Sequence, residues 1–196
     1  MQQLNNSELK EFLDAKVNQY NNPDFINSDP LQIPHRYSLK EDIEITGFLT
    51  ATIAWGNRKS IINNAKQLMA LMDDAPYEFI MQHQPKDLDT LSPFVHRTFN
   101  GTDCIQFMKS LRHIYTNHNG LEGVFNTYAE VDNLQLAIHH LKHHFFEIDH
   151  LQRTQKHISD PLKKSAAKRI NMFLRWMVRP NDTKVDFGLW SQLSPS

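Results

Sequence analysis

One segment of the sequence decides the fold, and it reads SDPLKKSAAKRINMFLRWMVR over residues 159–179. Counted at about 100° per residue, its apolar side chains fall in one arc of about 120°, and its cations fall in an arc of about 60° on the other side. The apolar arc holds Ala167, Ile170, Phe173, Leu174 and Met177. The basic arc holds Lys164, Lys168, Arg175 and Arg179. Neighbouring cations repel one another unless an anion faces them, so the segment predicts a helix with a buried face and an anion-binding face.

The charge distribution supports a basic surface in this part of the chain. Residues 1–150 carry 12 Lys and Arg against 19 Asp and Glu, whereas residues 151–184 carry 9 against 2. The net charge of −1 for the whole chain is therefore the sum of an acidic part and a basic segment. Clustered cations provide the salt-dependent part of nucleic-acid affinity, and the acidic remainder argues against a protein that coats DNA without selection. A solvated helix surface is the alternative explanation of the same pattern.

Length and composition limit the class of protein. With 196 residues, the chain is long enough to bury a substantial core, and we expect residues 1–196 to form a single helical domain. The N-terminus lacks the features of a secretion signal and Cys104 is the single cysteine, so we expect a cytoplasmic location. No apolar run approaches the roughly 20 residues that cross a bilayer, so we expect no membrane partner.

Helical periodicity runs through the chain and predicts an all-α protein with seven or eight helices and no strand. The apolar residues from Ile43 to Ile53 surround a helix axis and indicate a helix in the core. The stretch from Asp29 to Pro34 reads as an extended linker. Further helices are predicted from the spacing of apolar residues within 7–20, 61–72, 77–82, 103–115, 121–128 and 134–146.

Serine and aspartate residues are the predicted N-caps of these helices, because their side chains accept hydrogen bonds from the first exposed amides. Ser38 also has Glu41 three residues later, which is a capping-box pattern. Asp160, followed by Pro161, is the expected start of the basic helix. The predicted N-caps are Ser7, Ser38, Ser60, Asp103 and Asp160.

Three stretches together resemble the signature of one protein family. They are KHISDP at 156–161, SAAKRINMFLRWMVR at 165–179 and VDFGLW at 185–190, and segments 34–69 and 99–125 resemble the same family. The chain is identified as a member of the uncharacterised bacterial domain of unknown function 2400 family, which has no assigned activity. Lys164 departs from the family pattern, which has a glycine before the serine at this point.

More remotely, the family resembles the helix-hairpin-helix DNA glycosylases. Those enzymes have a buried helix, a short turn and an amphipathic helix early in the chain, as in 42–71 here, and a hairpin leading into a long helix later, as in 159–179. Lys168 matches the lysine of the hairpin motif in the bifunctional enzymes, and Asn171 matches its asparagine. The resemblance implies a multi-helix globular fold of the glycosylase type.

The same resemblance implies a catalytic role for Lys168. Its amine would attack the sugar of damaged DNA, and the cationic neighbours Lys164, Arg169 and Arg175 would favour the neutral, nucleophilic form. The carboxylate that stabilises the cationic sugar in these enzymes would lie downstream of Ser196. We therefore expect this chain to be C-terminally shortened and inactive.

Base-flipping enzymes also stack the extruded base on an aromatic ring. Trp55, at the end of the predicted buried helix, is the candidate for this role in the sequence. An ordinary core tryptophan, with its indole N–H satisfied at a helix terminus, is the preferred interpretation.

Four histidines on one predicted helix raise the question of a metal ion. His139, His140, His143 and His144 form two i, i+4 pairs, and such a pair can present two imidazoles to one zinc ion. A third ligand is missing from the helix itself. We therefore expect histidines of a helix surface or core edge, with no native metal and no other cofactor.

The predicted function is DNA binding by a relative of the DNA N-glycosylases and abasic-site lyases. The alternative is a noncatalytic helical module that binds nucleic acid or a protein partner through the same surface. Lys168 is the predicted catalytic residue. The predicted nucleic-acid-binding residues are Lys164, Arg169, Arg175, Arg179 and Trp55.

Overall fold

The computed structural model describes residues 5–130 and 133–193, and these are mostly helical. The predicted all-α class is therefore confirmed. The α-helices are α1 (Asn6–Tyr20), α2 (Lys40–Thr52), α3 (Arg58–Ala70), α4 (Pro76–Gln82), α5 (Pro85–Asp89), α6 (Gly101–Asn117), α7 (Gly120–Tyr128), α8 (Gln135–Phe145) and α9 (Lys168–Val178). Short 3-10 turns lie at Pro23–Ser28, Pro30–Gln32, Pro34–Arg36, Gln152–His157, Pro161–Lys163 and Asn181–Thr183.

Two very short strands interrupt the helices. β1 (Val95–His96) pairs with β2 (Phe99–Asn100) in an antiparallel hairpin, with Val95 opposite Asn100. Strands of two residues are too short to show a period-two pattern, which is why the sequence does not predict them. The predicted extended linker before α2 is also wrong, because prolines wind it into 3-10 turns.

Helix α2 forms the centre of the core. Every residue from Ile43 to Thr52 is buried, which confirms the prediction of a helix enclosed on all sides. Phe48 contacts one aromatic ring from each of α6, α8 and α9, at centroid distances of 6.1, 5.7 and 5.6 Å. These rings belong to Phe107, Phe145 and Phe173. The core thus joins helices that lie far apart in the sequence.

Gly47 allows α2 and α9 to approach closely. A Cβ atom placed at this position would lie 3.3 Å from Met177 Cε and 3.5 Å from the ring of Phe173. Both distances are at or below ordinary van der Waals contact, so a larger residue would press on α9. The close packing of α9 against α2 is therefore possible because residue 47 is a glycine, which has no side chain.

Asparagines cap three of the helices for which other caps were predicted. Asn5 caps α1, Asn57 caps α3 and Asn100 caps α6, where the sequence predicts Ser7, Ser60 and Asp103. Asp103 instead occupies the third position of α6 and completes a capping box with Asn100. The prediction for Ser38 is wrong as well, because α2 begins after Leu39 without a side-chain cap.

Helix α9 begins later than predicted. Asp160 caps only the 3-10 turn Pro161–Lys163, and the α-helix starts at Lys168. Lys164 and Ala167 both adopt left-handed backbone conformations, with φ of 62° and 45°. An α-helix cannot continue through such residues, so they separate the 3-10 turn from α9. A left-handed conformation favours glycine, which agrees with the glycine expected at the position of Lys164.

Helix α1 contributes no buried residue. Its apolar side chains are exposed, namely Leu9, Phe12, Leu13, Val17 and Tyr20. None of the helices within the described ranges combines the length and the apolar character needed to cross a membrane.

Candidate nucleic-acid interface

The apolar side of α9 anchors the helix in the core. Ile170, Phe173, Leu174 and Met177 are all buried, which confirms the apolar arc predicted from the sequence. The chain then returns along α9, where the backbone N–H of Phe187 donates to the carbonyl of Trp176 at 2.8 Å. Burial and this backbone hydrogen bond therefore hold the backbone of α9 in place.

We call Lys168, Arg175 and Arg179 the α9 basic face. Lys168 and Arg175 are exposed, Arg179 is half-buried, and Asn171 is exposed between them. Lys168 and Arg175 are two turns apart, which is about 10 Å along the axis at 1.5 Å per residue. Lys168 and Arg175 lie on one side of α9, as predicted, whereas Arg179 is the C-cap residue with an extended backbone, so its predicted place in the helical arc is wrong.

A buried carboxylate lies beside the two arginines of this face. Asp186 Oδ2 is 3.4 Å from Arg175 Nε and 3.5 Å from Arg179 Nη1. Burial raises the pKa of Asp186, although the two guanidinium groups oppose that rise. One carboxylate faces two guanidinium groups, so the pairing leaves an excess of positive charge on the surface.

Residues 160–167, which we call the hairpin turn, lead into α9 and carry two more exposed cations, Lys163 and Lys164. Lys164 is outside the helix, so the prediction that places it in the helical arc is wrong. The cause is the left-handed backbone of this turn. Lys164 nevertheless lies only four residues before Lys168 and extends the basic surface.

Two side chains of α8 hold the hairpin turn and the segment just before it. Lys142 Nζ donates to the carbonyls of Gln155 and Ile158 at 3.0 and 2.7 Å. His139 Nδ1 lies 3.1 Å from Asp160 Oδ1, and the same oxygen accepts the backbone N–H of the turn two residues later. Burial lowers the pKa of Lys142. These contacts give His139 and Lys142 a structural role.

Arg169 and Trp55 lie away from the α9 basic face. Arg169 donates to the carbonyl of Thr52 and, at 3.4 Å, to that of His157. Its guanidinium carbon lies 4.7 Å from the centroid of the Trp55 ring, within the range of a cation–π contact. Burial lowers the pKa of Arg169. The structure therefore joins these two predicted nucleic-acid ligands to each other and to the end of α2.

A groove of about 960 Å³ runs beside α9, between this helix and the start of α8. Its lining includes Ser165, Ala167, Asn171 and Arg175. Lys168 is exposed and is not one of the lining residues. The predicted nucleophile thus lacks the desolvation that such an amine needs, while Asn171 and Arg175 connect the groove with the basic face.

The structure also brings together a histidine cluster that the sequence does not predict. His113 and His118, from the end of α6, meet His144 and Glu147, from the end of α8. Of the four histidines considered in the sequence, His139 pairs with Asp160 and His140 stacks on Tyr128. No local spacing signals this cluster, because α6 and α8 meet only in the folded chain.

These features define a helical protein with a basic helix face beside a groove. The chain belongs to the family described as "Protein of unknown function (DUF2400)", whose model matches residues 29–196. No curated protein and no solved structure matches the chain. The family assignment made from the sequence is confirmed, and the more remote likeness to helix-hairpin-helix DNA glycosylases stays a prediction.

Proposed function

We propose that this protein binds nucleic acid, with DNA as the expected form, by placing phosphates against the α9 basic face and the hairpin turn. The observation that carries the proposal is the exposure of Lys163, Lys164 and Lys168 beside Arg175. Among the described residues, no carboxylate lies within 4.0 Å of these three lysines. Their charge is therefore available to an anionic partner.

The start of α9 supports the same proposal. Ala167 is the N-cap residue, and no side chain caps the helix there. The first amides of a helix point outward and carry partial positive charge, so they attract phosphate oxygens. Lys164 and Lys168 flank this end of the helix. Both the uncapped amides and the two lysines thus lie at this end of α9.

The fixed position of α9 adds to the argument. Burial of its apolar side fixes the backbone positions from which the cations extend, so binding needs no rearrangement of the helix itself. Contacts of this kind go to phosphate and position a protein on nucleic acid without reading its sequence. We therefore propose binding to the backbone, with the groove beside Asn171 as the place where a nucleotide unit enters.

The experiment is a titration of fluorescent duplex and single-stranded DNA at several salt concentrations. Lys168→Ala and Arg175→Ala should each weaken binding and reduce the slope of log K against log salt by about 1. Lys86→Ala is the matched control, because Lys86 is an exposed lysine of α5, in the acidic part of the chain. Equal binding by the parent protein and both basic-face variants would overturn the proposal.

A second arm separates binding from lyase chemistry. Because Lys168 is exposed and outside the groove, we expect no covalent adduct when the protein and abasic DNA are treated with borohydride. An adduct that forms with the parent protein and is lost in Lys168→Ala would instead show a Schiff base at this amine. Salt-dependent binding without an adduct identifies a noncatalytic module.

A further inference from the structure

The histidine cluster surrounds a single carboxylate. Glu147 Oε2 lies 2.8 Å from His113 Nε2 and 3.1 Å from His118 Nε2. Its other oxygen, Oε1, lies 2.6 Å from His144 Nδ1. Three imidazoles from two helices therefore converge on one acidic group, at a place that the proposed nucleic-acid interface does not use.

We propose that His113, His118 and Glu147 bind a divalent transition-metal ion, with zinc as the expected metal. Imidazole nitrogen and carboxylate oxygen are among the ligands that bind zinc in proteins, and two histidines with one glutamate form a known set of three ligands. The three ligand atoms already lie within 4.8 Å of one another. Water or a substrate would fill the remaining position.

The distances fit a tetrahedral ion after small side-chain movements. With zinc–ligand distances of about 2.0–2.1 Å, neighbouring ligand atoms of a tetrahedron lie about 3.3 Å apart. The observed separations from Glu147 Oε2 are 2.8 and 3.1 Å, which are a few tenths of an ångström shorter. If an ion replaced the hydrogen-bonding protons between these atoms, the two separations would increase toward the tetrahedral value.

The surrounding groups fix the orientation of the ligands. Asn117 Nδ2 lies 3.0 Å from Nδ1 of His113; when Nε2 binds the ion, Nδ1 carries the proton, and the side-chain amide must turn its oxygen toward that N–H to hold the ring. His144 donates from Nδ1 to Glu147 Oε1, and its Nε2 lies 3.0 Å from the Tyr128 hydroxyl. Hydrogen bonds of this kind orient histidine and carboxylate ligands in metal sites. They distinguish the cluster from histidines that merely share a surface.

The electrostatic setting also favours a cation. His118 is the C-cap residue of α6, and Glu147 follows the C-cap residue of α8. The C-terminal ends of helices carry partial negative charge, which attracts positive ions. Within the described ranges, the ion pairs of Glu147 are with histidines and not with lysine or arginine. An added divalent ion would therefore meet no competing fixed cation in a salt bridge.

A second group of possible ligands shares the same carboxylate. His143 and His144, together with Glu147, also place their ligand atoms within 4.8 Å of one another. The side chain of His143 is 64% exposed, however, and its Nε2 is 3.7 Å from Glu147 Oε1. His113 and His118 are less exposed and closer, which is why we assign the metal to them.

The experiment measures zinc binding by the full chain, purified without a histidine tag. Competition with a chromophoric chelator gives the stoichiometry and affinity, and Co²⁺ absorption reports the coordination geometry. We expect one ion per chain, bound with the strong visible bands of four-coordinate Co²⁺. His118→Asn and Glu147→Gln should each weaken zinc binding by 10-fold or more, which is about 1.4 kcal/mol or more.

His143→Ala is the matched control, because it removes an exposed imidazole from the same end of α8. It should bind zinc like the parent protein. Thermal unfolding without metal checks that every variant folds, and zinc should raise the unfolding temperature of the parent and of His143→Ala only. Absence of stoichiometric zinc binding by the parent would overturn the proposal. So would equal loss in His143→Ala, or full binding by both folded variants of the proposed ligands.

Discussion

Glu44 shows how one residue can connect distant parts of the chain. It is buried in α2, where Oε1 accepts the indole N–H of Trp190 and Oε2 accepts the hydroxyl of Tyr115, both at 2.7 Å. Burial raises the pKa of Glu44, although these hydrogen bonds and the ammonium group of Lys40 oppose the rise. The carboxylate thus joins α2, α6 and the segment that follows α9.

Replacing Glu44 by Ala should destabilise the protein by about 2–4 kcal/mol. The variant leaves the buried donors of Trp190 and Tyr115 without a partner and opens a small cavity. Urea unfolding followed by circular dichroism measures the change. Tyr115→Phe is the comparison, since it leaves only Glu44 Oε2 without its donor and should cost less than Glu44→Ala. Equal stability of Glu44→Ala and the parent protein would contradict the interpretation.

Asp186 is the residue that limits the charge of the α9 basic face. Asp186→Asn should therefore bind DNA more tightly at low salt, by roughly 2- to 10-fold, with a steeper salt dependence. Asp182→Asn is the control for net charge, because Asp182 is an exposed carboxylate in the same part of the chain. The measurement is the DNA titration described above. If both variants tighten binding equally, the effect is one of total charge and not of the pairing with Arg175 and Arg179.

At the scale of elements, the hairpin turn and α9 form one unit whose shape depends on the backbone. Lys164 combines a cation with a left-handed conformation that costs a non-glycine residue about 1 kcal/mol. Hydrogen bonds from α8 to Asp160 and Ile158 maintain the turn. Two substitutions of Lys164 can therefore distinguish the effect of its backbone strain on stability from the effect of its charge on DNA binding.

Lys164→Gly should stabilise the protein by about 0.5–1 kcal/mol and weaken DNA binding at the same time. Glycine relieves the left-handed backbone, and the lost ammonium removes one phosphate contact. Lys164→Ala should weaken DNA binding by a similar factor without the gain in stability. Thermal unfolding and DNA titration of both variants measure the two effects. A glycine variant that is less stable than the alanine variant would contradict the assignment.

The elements also show where sequence reasoning succeeds. The periodicity of apolar residues predicts α2, α3, α6, α7 and α8, because burial of one face controls these helices. The start of α9 is missed, since the left-handed conformations of Lys164 and Ala167 depend on contacts with α8 and on packing. The histidine cluster and the position of Asp186 are missed for a related reason. Both arise where segments distant in sequence meet.

At the scale of the whole molecule, histidines with lowered pKa values contribute to the response of stability to acid. Desolvation lowers the pKa of four histidines that pack in different parts of the structure, even where hydrogen bonds oppose it. They are His83, His96, His140 and His157. A histidine with a lowered pKa in the folded state is protonated more readily in the unfolded state. Its contribution to stability is present above the unfolded pKa of about 6.5 and is lost as the pH falls toward the folded value.

His96→Gln tests this relation. His96 is buried, with Nδ1 2.7 Å from the side-chain amide of Asn64 and Nε2 3.2 Å from the carbonyl of Trp55. Glutamine can offer a donor and an acceptor in its place but does not titrate. Between about pH 7.5 and about pH 5.5, the variant should lose less unfolding free energy than the parent protein. Urea unfolding at both pH values measures the difference, and identical pH dependence would contradict it.

Position 47 couples the interior of the molecule to its outer surface. Glycine is a poor helix former, by about 1 kcal/mol relative to alanine, yet it occupies the middle of the central helix. A methyl group there would force Met177 to give way or push α9 outward. The distance from the central helix to the cations that α9 presents to solvent is thus set in part by the absence of a methyl group at position 47.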